Sequence, residues 1–416
     1  MKMKKNFFWP PKSQEVIKNF ANTGVNLFKE MYGSLDDDKQ NPYSRISVAN
    51  VGYSLDAVRG CPLRCSYCVR LSNLRDGFFD KNENLNNKRV FNIIPEKLFD
   101  GDVLIKHLIK HPSFIKNYSV IAIGTGSTEA FSPVADVETY KIIKELRLVQ
   151  KLKNPIWIVT KLGIPTNKIS FWRSFFKEFS PMGKIIISIT SNGLPSYIES
   201  HQADRFLFVE KILDTGVYFT HHLRPIIRNI NDDYDNLYKQ LKRSLPLVKA
   251  VVVGGLRVDP GIIIAWKHIN KLDLNILPNK PNEKDLPEEV LPNVKKIIAE
   301  LNYKNIPVFL HSSQMISYIM NWIDYSLKKS VAIYNNKLVL KVLKNKLIKN
   351  EEFLENKINV LLKKMKLFKY IKVIKKATEN FIIFEFVSNL LKDYRINRTL
   401  LNNLGHYNNK FKLFQE

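Results

Sequence analysis

Cysteine is the scarcest residue in this chain. Only three of the 416 residues are cysteines, and all three lie within one eight-residue segment, at Cys61, Cys65 and Cys68. An odd number of thiols in one short segment excludes the disulfide framework that stabilises small secreted domains. Because there is no fourth cysteine, a closed site of four thiolates is excluded as well.

Long apolar runs are also missing. No stretch approaches the roughly 18 apolar residues that a membrane-spanning helix needs. The basic start of the chain continues through residues 6–12 without the apolar region of a signal peptide. We therefore predict a cytoplasmic protein with no membrane partner, and its oligomeric state stays open.

Acidic residues are few relative to basic ones. The chain has 39 Asp and Glu residues against 65 Lys and Arg residues, a formal net charge of +26. Residues 328–416 contain 20 of the basic residues and 7 of the acidic ones, so this segment carries half of the excess. An imbalance of this size predicts a polyanionic partner, for which nucleic acid is the candidate.

Short runs of β-branched and apolar residues recur about every 30 residues, each followed by a segment with helical periodicity. That spacing matches a βαβ unit and predicts parallel strands with crossover helices. The predicted strands are residues 53–57, 119–124, 155–160, 184–190, 217–222 and 250–254, with a seventh at 306–311. We predict an α/β fold, a partial (β/α)6 barrel of the TIM type, over residues 51–325.

The flanking regions differ from this core. Residues 1–50 are interpreted as an N-terminal extension and residues 326–416 as a basic, mainly helical C-terminal domain. Within it, residues 331–342 favour a hairpin, whereas apolar residues recur at helical spacing over 354–365 and residues 381–401 are interpreted as helix.

Polar residues follow the carboxyl ends of the predicted strands, where α/β barrels carry their working residues. The second strand leads into residues 124–129, the third ends at Thr160-Lys161, and the fifth ends at Arg224. Together these ends offer an acid, cations and hydroxyls at one edge of the sheet. We predict a binding site for a polar, charged ligand at this edge.

Three histidines lie at strand ends as well, His221, His222 and His311. Neighbouring residues of a strand point to opposite faces, so at most one of the tandem pair faces the site. Each histidine has two open interpretations, a general acid or base and a structural hydrogen-bonding role.

An iron–sulfur cluster normally takes four cysteine thiolates, so three would leave one iron of a four-iron cluster open to another ligand. The Cys-x3-Cys-x2-Cys spacing of Cys61, Cys65 and Cys68 resembles the signature of radical S-adenosylmethionine enzymes. The resemblance implies that the cysteines hold a [4Fe-4S] cluster and that S-adenosylmethionine binds the open iron. It implies reductive cleavage of S-adenosylmethionine to a 5′-deoxyadenosyl radical, with electrons from a flavodoxin or ferredoxin type of donor.

Within that family, residues 53–61 and 128–133 resemble the spore photoproduct lyase and DNA-repair-photolyase-like branch. Residues 158–161 and 205–232 agree with the same branch, so the match covers about residues 50–260.

This branch implies roles for individual residues. By resemblance, Thr128, Lys161 and Ser188 fall on positions that bind S-adenosylmethionine, and Glu129 lies near its ammonium group. The remaining polar strand-end residues assigned to the cofactor are Gly126, Ser127 and Arg224.

One departure from the branch concerns the hydrogen donor. Spore photoproduct lyase uses a cysteine in the loop after the second strand, and the corresponding position is Gly126 in this chain. Either a tyrosine such as Tyr53 or Tyr67 relays the hydrogen, or the reaction ends in another way.

The leading functional hypothesis is a radical enzyme that acts on nucleic acid or a nucleotide-like molecule. A radical enzyme that modifies a peptide or a small metabolite is its closest alternative. From another class, a zinc knuckle formed by the three cysteines and one of the eight histidines would make the protein a basic nucleic-acid-binding module without catalysis.

Overall fold

The computed structural model describes residues 41–49, 52–63, 65–68, 95–111, 114–126, 128–257, 262, 266, 284–322, 331–334, 337–341, 359–360, 363, 371–378 and 381–386. Up to residue 322 the strands are β1 (Ile46–Ala49), β2 (Gly52–Leu55), β3 (Val58–Arg59), β4 (Glu96–Lys97), β5 (Ile121–Ile123), β6 (Ile156–Thr160), β7 (Ile185–Thr190), β8 (Tyr218–Ile226), β9 (Val251–Arg257), β10 (Lys284–Asp285) and β11 (Val308–Phe309). The helices are α1 (Gly101–Leu108), α2 (Ala135–Lys144), α3 (Ile169–Phe179), α4 (Leu207–Ile212), α5 (Tyr234–Ser244), α6 (Val290–Glu300) and α7 (Ser312–Met320).

Seven parallel strands form the centre of the main sheet, in the order β2-β5-β6-β7-β8-β9-β11. Strand β1 pairs antiparallel with β2 at one edge, and β10 pairs antiparallel with the end of β9. All six predicted strands and the seventh at 306–311 are confirmed. The α/β class is therefore confirmed, whereas no pairing among the described strands joins β11 to β1 or β2.

Each strand of the parallel sheet lies beside the one before it in the chain. Right-handed crossovers in such a sequential sheet leave their helices on one face. Side chains that alternate along β6 pack on opposite faces of the sheet. Ile156 and Ile158 belong to the apolar cluster that includes α1 to α6, whereas Trp157 belongs to the cluster that includes α7. The sheet is therefore buried on both sides, which explains its nearly continuous apolar strands.

Two helix predictions are refined by the structure. Apolar residues recur at helical spacing over 137–153 and predict a helix, which the structure shows as α2 with a π-helical turn over Glu145–Val149. For the helix that the sequence predicts over 232–245, Asn231 and Asp232 are the expected caps. In the structure the cap is Asp233, whose carboxylate accepts a hydrogen bond from the backbone N–H of Asn236 at 2.8 Å. None of the helices in the described ranges has the length and apolarity needed to cross a bilayer.

The described part of the C-terminal region is mostly strand. Strands β12 (Val331–Tyr334), β13 (Lys337–Lys341), β14 (Ile371–Thr378) and β15 (Phe381–Phe386) form an antiparallel sheet in the order β12-β13-β15-β14. The hairpin predicted over 331–342 is confirmed, since Tyr334 pairs with Lys337. The helix predicted from residue 381 is wrong over Phe381–Phe386, because its aromatic and β-branched residues suit an extended chain.

The tandem histidines point to opposite sides of β8, as alternation predicts. His221 is fully buried toward the helices and bonds with its ring nitrogens to Ser244 Oγ and Ser191 O, both at 2.8 Å. His222 lies on the α7 side, with its ring centroid 5.8 Å from that of Trp157. The contacts of His221 indicate a structural role.

Burial lowers the pKa of His221 to about 4, so we expect stability to fall in acid. The unfolded chain takes up this proton near pH 6.5 and the folded chain only near pH 4, so the loss develops as the pH falls between these values. Its full size is about 3 kcal/mol. Denaturant unfolding of His221→Gln at pH 7 and 4.5 should show a weaker pH dependence than the unsubstituted protein; parallel changes in both proteins would contradict the assignment.

Candidate functional site

The cysteine segment is anchored to the loops that follow β7 and β9. Both the backbone N–H and the hydroxyl of Ser66 donate to the carbonyl oxygen of Ile198, at 3.2 and 3.1 Å. The indole N–H of Trp266 donates to the carbonyl oxygen of Ser66 at 3.1 Å. Tyr67 packs against the apolar cluster that contains Ile198 and Trp266. The cysteines therefore lie at the carboxyl-end edge of the parallel sheet.

Lys161, the first residue after β6, connects this segment to the sheet. Its ammonium nitrogen lies 3.2 Å from Cys65 Sγ and 3.5 Å from Glu199 Oε2. The same nitrogen contacts the hydroxyl of Tyr67 and lies 4.1 Å from the centre of its ring. One cation thus contacts a thiol, a phenol and a carboxylate in a half-buried setting.

Glu129 fixes the backbone that carries this cation. Its carboxylate accepts hydrogen bonds from the hydroxyl of Thr160 and, at 3.0 Å, from the backbone N–H of Lys161. Burial raises the pKa of Glu129, against the opposing effect of these hydrogen bonds and the charge of Lys161. These contacts give Glu129 a positioning role, because its oxygens hold the turn after β6.

Glu199 and Arg205 form a buried ion pair beside Lys161. Their side chains are 1% and 6% exposed, respectively. Arg205 also donates to the carbonyl oxygens of Thr190 and His201, at 2.5 and 2.6 Å. Burial raises the pKa of Glu199 to about 8 and lowers that of Arg205 to about 10, the latter against the charges of Cys65 and Glu129.

The three cysteines have the donor chemistry that an iron–sulfur cluster requires. All three are free thiols, and the N–H of Cys68 donates to the carbonyl oxygen of Cys65 at 3.1 Å in a tight turn. Burial raises the pKa of the Cys65 thiol to about 11, against the charge of Lys161. A metal ion deprotonates a coordinating thiol outright. The raised pKa of Cys65 would therefore not prevent it from binding a metal as a thiolate.

In the part of the chain that the structure describes, no three His, Cys, Asp or Glu side chains are grouped as metal ligands. Cys65 is buried, whereas Cys61 and Cys68 are half-buried. The three cysteines fit an iron–sulfur cluster by the chemistry of their donor atoms.

The loop after β5 contains four of the predicted cofactor residues, Glu129 and the three before it. Thr128 Oγ1 is buried without a hydrogen-bond partner in the described ranges, and its residue borders a cavity of about 10 Å³. A cavity of this size holds at most one water molecule. Gly126 lies against the carboxylate of Asp56, so a Cβ atom at this position would require the Asp56 side chain to shift. Ser127 lies outside the described residues.

Other predicted residues lie apart from the Lys161 contacts. Ser188 is fully buried, and its hydroxyl bonds with the Trp157 indole N–H and the Thr220 hydroxyl, both at 2.7 Å. Tyr53 is buried in the helix-side core, with its ring centroid 5.5 Å from that of His111. These contacts indicate packing and hydrogen-bonding roles for Ser188 and Tyr53.

Arg224 stands at the end of β8, beside α7. Its Nη1 donates to the Ser312 hydroxyl at 3.3 Å, and the backbone of Arg224 accepts a hydrogen bond from Asn192 Nδ2 at 3.0 Å. The structure thus brings together Cys65, Tyr67 and Lys161, with Glu129 behind them, and leaves Arg224 at a separate point of the same edge.

Sequence reasoning missed Glu199 as a member of the site. Glu199 lies in an irregular loop between β7 and α4, where no hydrophobic period gives its direction. The available signal was an acid and an arginine six residues apart after a buried strand.

A scan against protein-family models found no matching family, and a search of the curated proteins found no match.

Proposed function

We propose that this protein is a radical S-adenosylmethionine enzyme whose substrate is nucleic acid or a nucleotide-like molecule. The contact between Lys161 Nζ and Cys65 Sγ, at 3.2 Å, carries the proposal. It joins a segment with three thiols to the carboxyl-end edge of a sequential parallel sheet, the edge at which α/β barrels bind their ligands. The sequential strand order supports the finer proposal of a partial barrel of the TIM type.

Cys61, Cys65 and Cys68 would hold a [4Fe-4S] cluster. When bound, the cluster and S-adenosylmethionine supply a 5′-deoxyadenosyl radical, formed with one electron from an external donor of the flavodoxin or ferredoxin type. Lys161 would bind the carboxylate of S-adenosylmethionine, because its ammonium group is held at the cysteine segment by Glu199 and by the backbone contact of Glu129.

The charge of the chain supports the class of substrate. A net charge of +26 attracts a polyanion from solution, and residues 328–416 carry half of that excess, with 20 basic residues against 7 acidic ones. Tyr67, whose hydroxyl contacts Lys161 beside Cys65, is the tyrosine we propose for hydrogen-atom transfer to the substrate radical. The tyrosyl radical that remains would be restored by one electron from the external donor and a proton from solvent.

The test is anaerobic reconstitution with iron and sulfide, followed by dithionite and S-adenosylmethionine. We expect 5′-deoxyadenosine to form, and we expect more of it when single-stranded or duplex nucleic acid is present. Iron and acid-labile sulfide are measured on the same sample.

Two results would contradict the proposal. Protein that retains zinc, takes up no iron and forms no 5′-deoxyadenosine would be a zinc-stabilised binding module. In the second result, nucleic acid leaves the rate of 5′-deoxyadenosine formation unchanged while a peptide or metabolite increases it. That result would support the radical reaction and contradict nucleic acid as the substrate.

A further inference from the structure

An apolar groove lies on the solvent-exposed side of the helix layer, between α2 and α3. Its volume is about 640 Å³, and Tyr140, Lys144 and Leu148 line it on the side of α2 and the π-helical turn. Phe171 and Phe175 line it on the α3 side. Residues three and four apart share one face of a helix, so each wall is a single row of side chains. Two regular elements therefore build the groove.

Aromatic rings form most of these walls. The ring centroid of Tyr140 lies 5.6 Å from that of Phe171 and 5.0 Å from that of Phe175. Phe171 is nonetheless 52% exposed, and Leu148 on the opposite wall is 39% exposed. Exposed aromatic and aliphatic side chains grouped in this way are typical of a surface that another segment covers.

The amount of exposed apolar surface favours a short segment over a second folded subunit. The large apolar side chains exposed on α2, its π-helical turn and α3 are Val137, Leu148, Val149 and Phe171. Together they offer roughly 300 Å² of apolar surface, whereas a standard interface buries about 800 Å² on each partner. The groove volume is likewise in the range of sites that enclose a small ligand or a few side chains.

The sequence contains one run of three consecutive aromatic residues, Phe7-Phe8-Trp9, and Pro10-Pro11 follows it directly. Proline has no N–H to donate to a neighbouring backbone, so such a segment is recognised through its side chains. Grooves lined by aromatic side chains are a recurrent docking site for proline-containing segments. The backbone groups within α2 and α3 bond inside their own helices, so this groove also offers side chains.

The first described element of the chain lies close to the groove. The turn at Pro42–Arg45 packs against α1, and α1 packs against α2. The backbone N–H of Gly101, at the start of α1, donates to the Glu138 carboxylate of α2 at 2.7 Å. Two helix spacings of about 8–10 Å each therefore separate the turn from the groove. Residues 12–41 can span up to about 100 Å, so residues 7–11 are able to reach it.

Charges around the groove agree with this occupant. Glu178 lines the groove on the α3 side, and the aromatic and proline run is flanked by Lys5 and Lys12. On the other wall, the ammonium group of Lys144 lies 5.6 Å from the centre of the Tyr140 ring. That cation already interacts with a ring of the groove, so the acidic end is the one that suits a basic segment.

We propose that residues 7–11 of this chain bind in the groove between α2 and α3, with Trp9 on the rings of Tyr140 and Phe171. The segment would cover the exposed apolar side chains of both helices and attach the N-terminal region to the parallel-sheet domain. The proposal does not depend on the radical chemistry, because no residue of the groove belongs to the cysteine site.

The test is photo-crosslinking of the full chain with p-benzoyl-L-phenylalanine in place of Trp9. We expect crosslinks within one chain, mapped by mass spectrometry to the peptides that contain Tyr140, Leu148 or Phe171. A covalent dimer linked through the same peptides would place the segment of one copy on another copy and overturn docking within the chain. Crosslinks spread over other peptides would overturn the site itself.

The rate of trypsin cleavage after Lys12 measures how much of the segment is bound. Phe171→Ser removes a ring from the groove and should raise this rate about tenfold, because cleavage follows the population of the unbound segment. The matched control is Tyr318→Ser, since Tyr318 is also 52% exposed but lies on α7, at the opposite face of the sheet. Equal rates in the two variants would contradict the proposal.

Two further variants guard against a folding defect. Trp9→Ala leaves the α2 and α3 surfaces intact and should accelerate cleavage as Phe171→Ser does. The double variant should show less than the product of the two effects, because both changes remove the same contact. Leu148→Ser, on the opposite wall, should also accelerate cleavage without changing the circular dichroism spectrum. Unchanged cleavage in Trp9→Ala and Leu148→Ser would refute the docking site.

Discussion

Replacing Cys65 by alanine is expected to reduce 5′-deoxyadenosine formation to background. Cys65 is the buried member of the three thiols and the one that Lys161 contacts, at 3.2 Å. With two thiols left and no other cysteine in the chain, no other thiolate can replace it. The measurement is 5′-deoxyadenosine per protein after anaerobic reconstitution, with iron and sulfide content determined in parallel.

Cys61→Ala and Cys68→Ala should give the same loss, because each removes one of three equivalent ligands. The control variant is Ser170→Ala, on the surface of α3, which is reconstituted anaerobically in the same way and should form 5′-deoxyadenosine normally. Continued formation of 5′-deoxyadenosine by Cys65→Ala would refute the assignment of the cluster. A normal circular dichroism spectrum of each variant is required, and we expect it because the parallel sheet does not depend on the thiols.

Replacing Arg205 by methionine is expected to lower the free energy of unfolding by about 3–5 kcal/mol. The substitution leaves the carboxylate of Glu199, which is 1% exposed, without the guanidinium that pairs with it. It also leaves the carbonyl oxygens of Thr190 and His201 without their donor. Denaturant unfolding at pH 7 measures the change.

The chain offers a matched exposed pair as the control. Arg173 and Asp214 form a bidentate ion pair with side chains 48% and 47% exposed. Arg173→Met should therefore cost at most about 1 kcal/mol. Addition of Glu199→Gln to Arg205→Met should recover part of the loss, since the unpaired charge is then absent. Equal costs at Arg205 and Arg173 would contradict the role of burial in this pair.

Much of the fold could be predicted from the sequence. The apolar runs at residues 155–160 and 184–190 became β6 and β7, because strands buried on both faces leave a continuous apolar signal. The same reasoning failed at Phe381–Phe386, where an apolar segment was assigned helix and formed β15. A short apolar run is compatible with both helical and strand periodicity. At Phe381–Phe386 the pairing with β13 and β14 selects the strand.

The candidate site was predictable in its residue types and less so in its contacts. Lys161 was identified by its place at a strand end, and the structure puts it against Cys65 and Tyr67. Ser188 was identified in the same way, yet its hydroxyl is enclosed by Trp157 and Thr220. Position along a strand does not reveal whether a neighbouring strand already satisfies a polar group.

The sequence by itself determined the parallel α/β class and the single segment that contains the three thiols, since both depend on spacing between near neighbours in the chain. Only the tertiary structure decided that Cys65 meets Lys161, 96 residues away, and that Arg224 meets Ser312, 88 residues away. These contacts depend on the order of the strands and the paths of the loops between them. Periodicity carries no information about either, because it describes one element at a time.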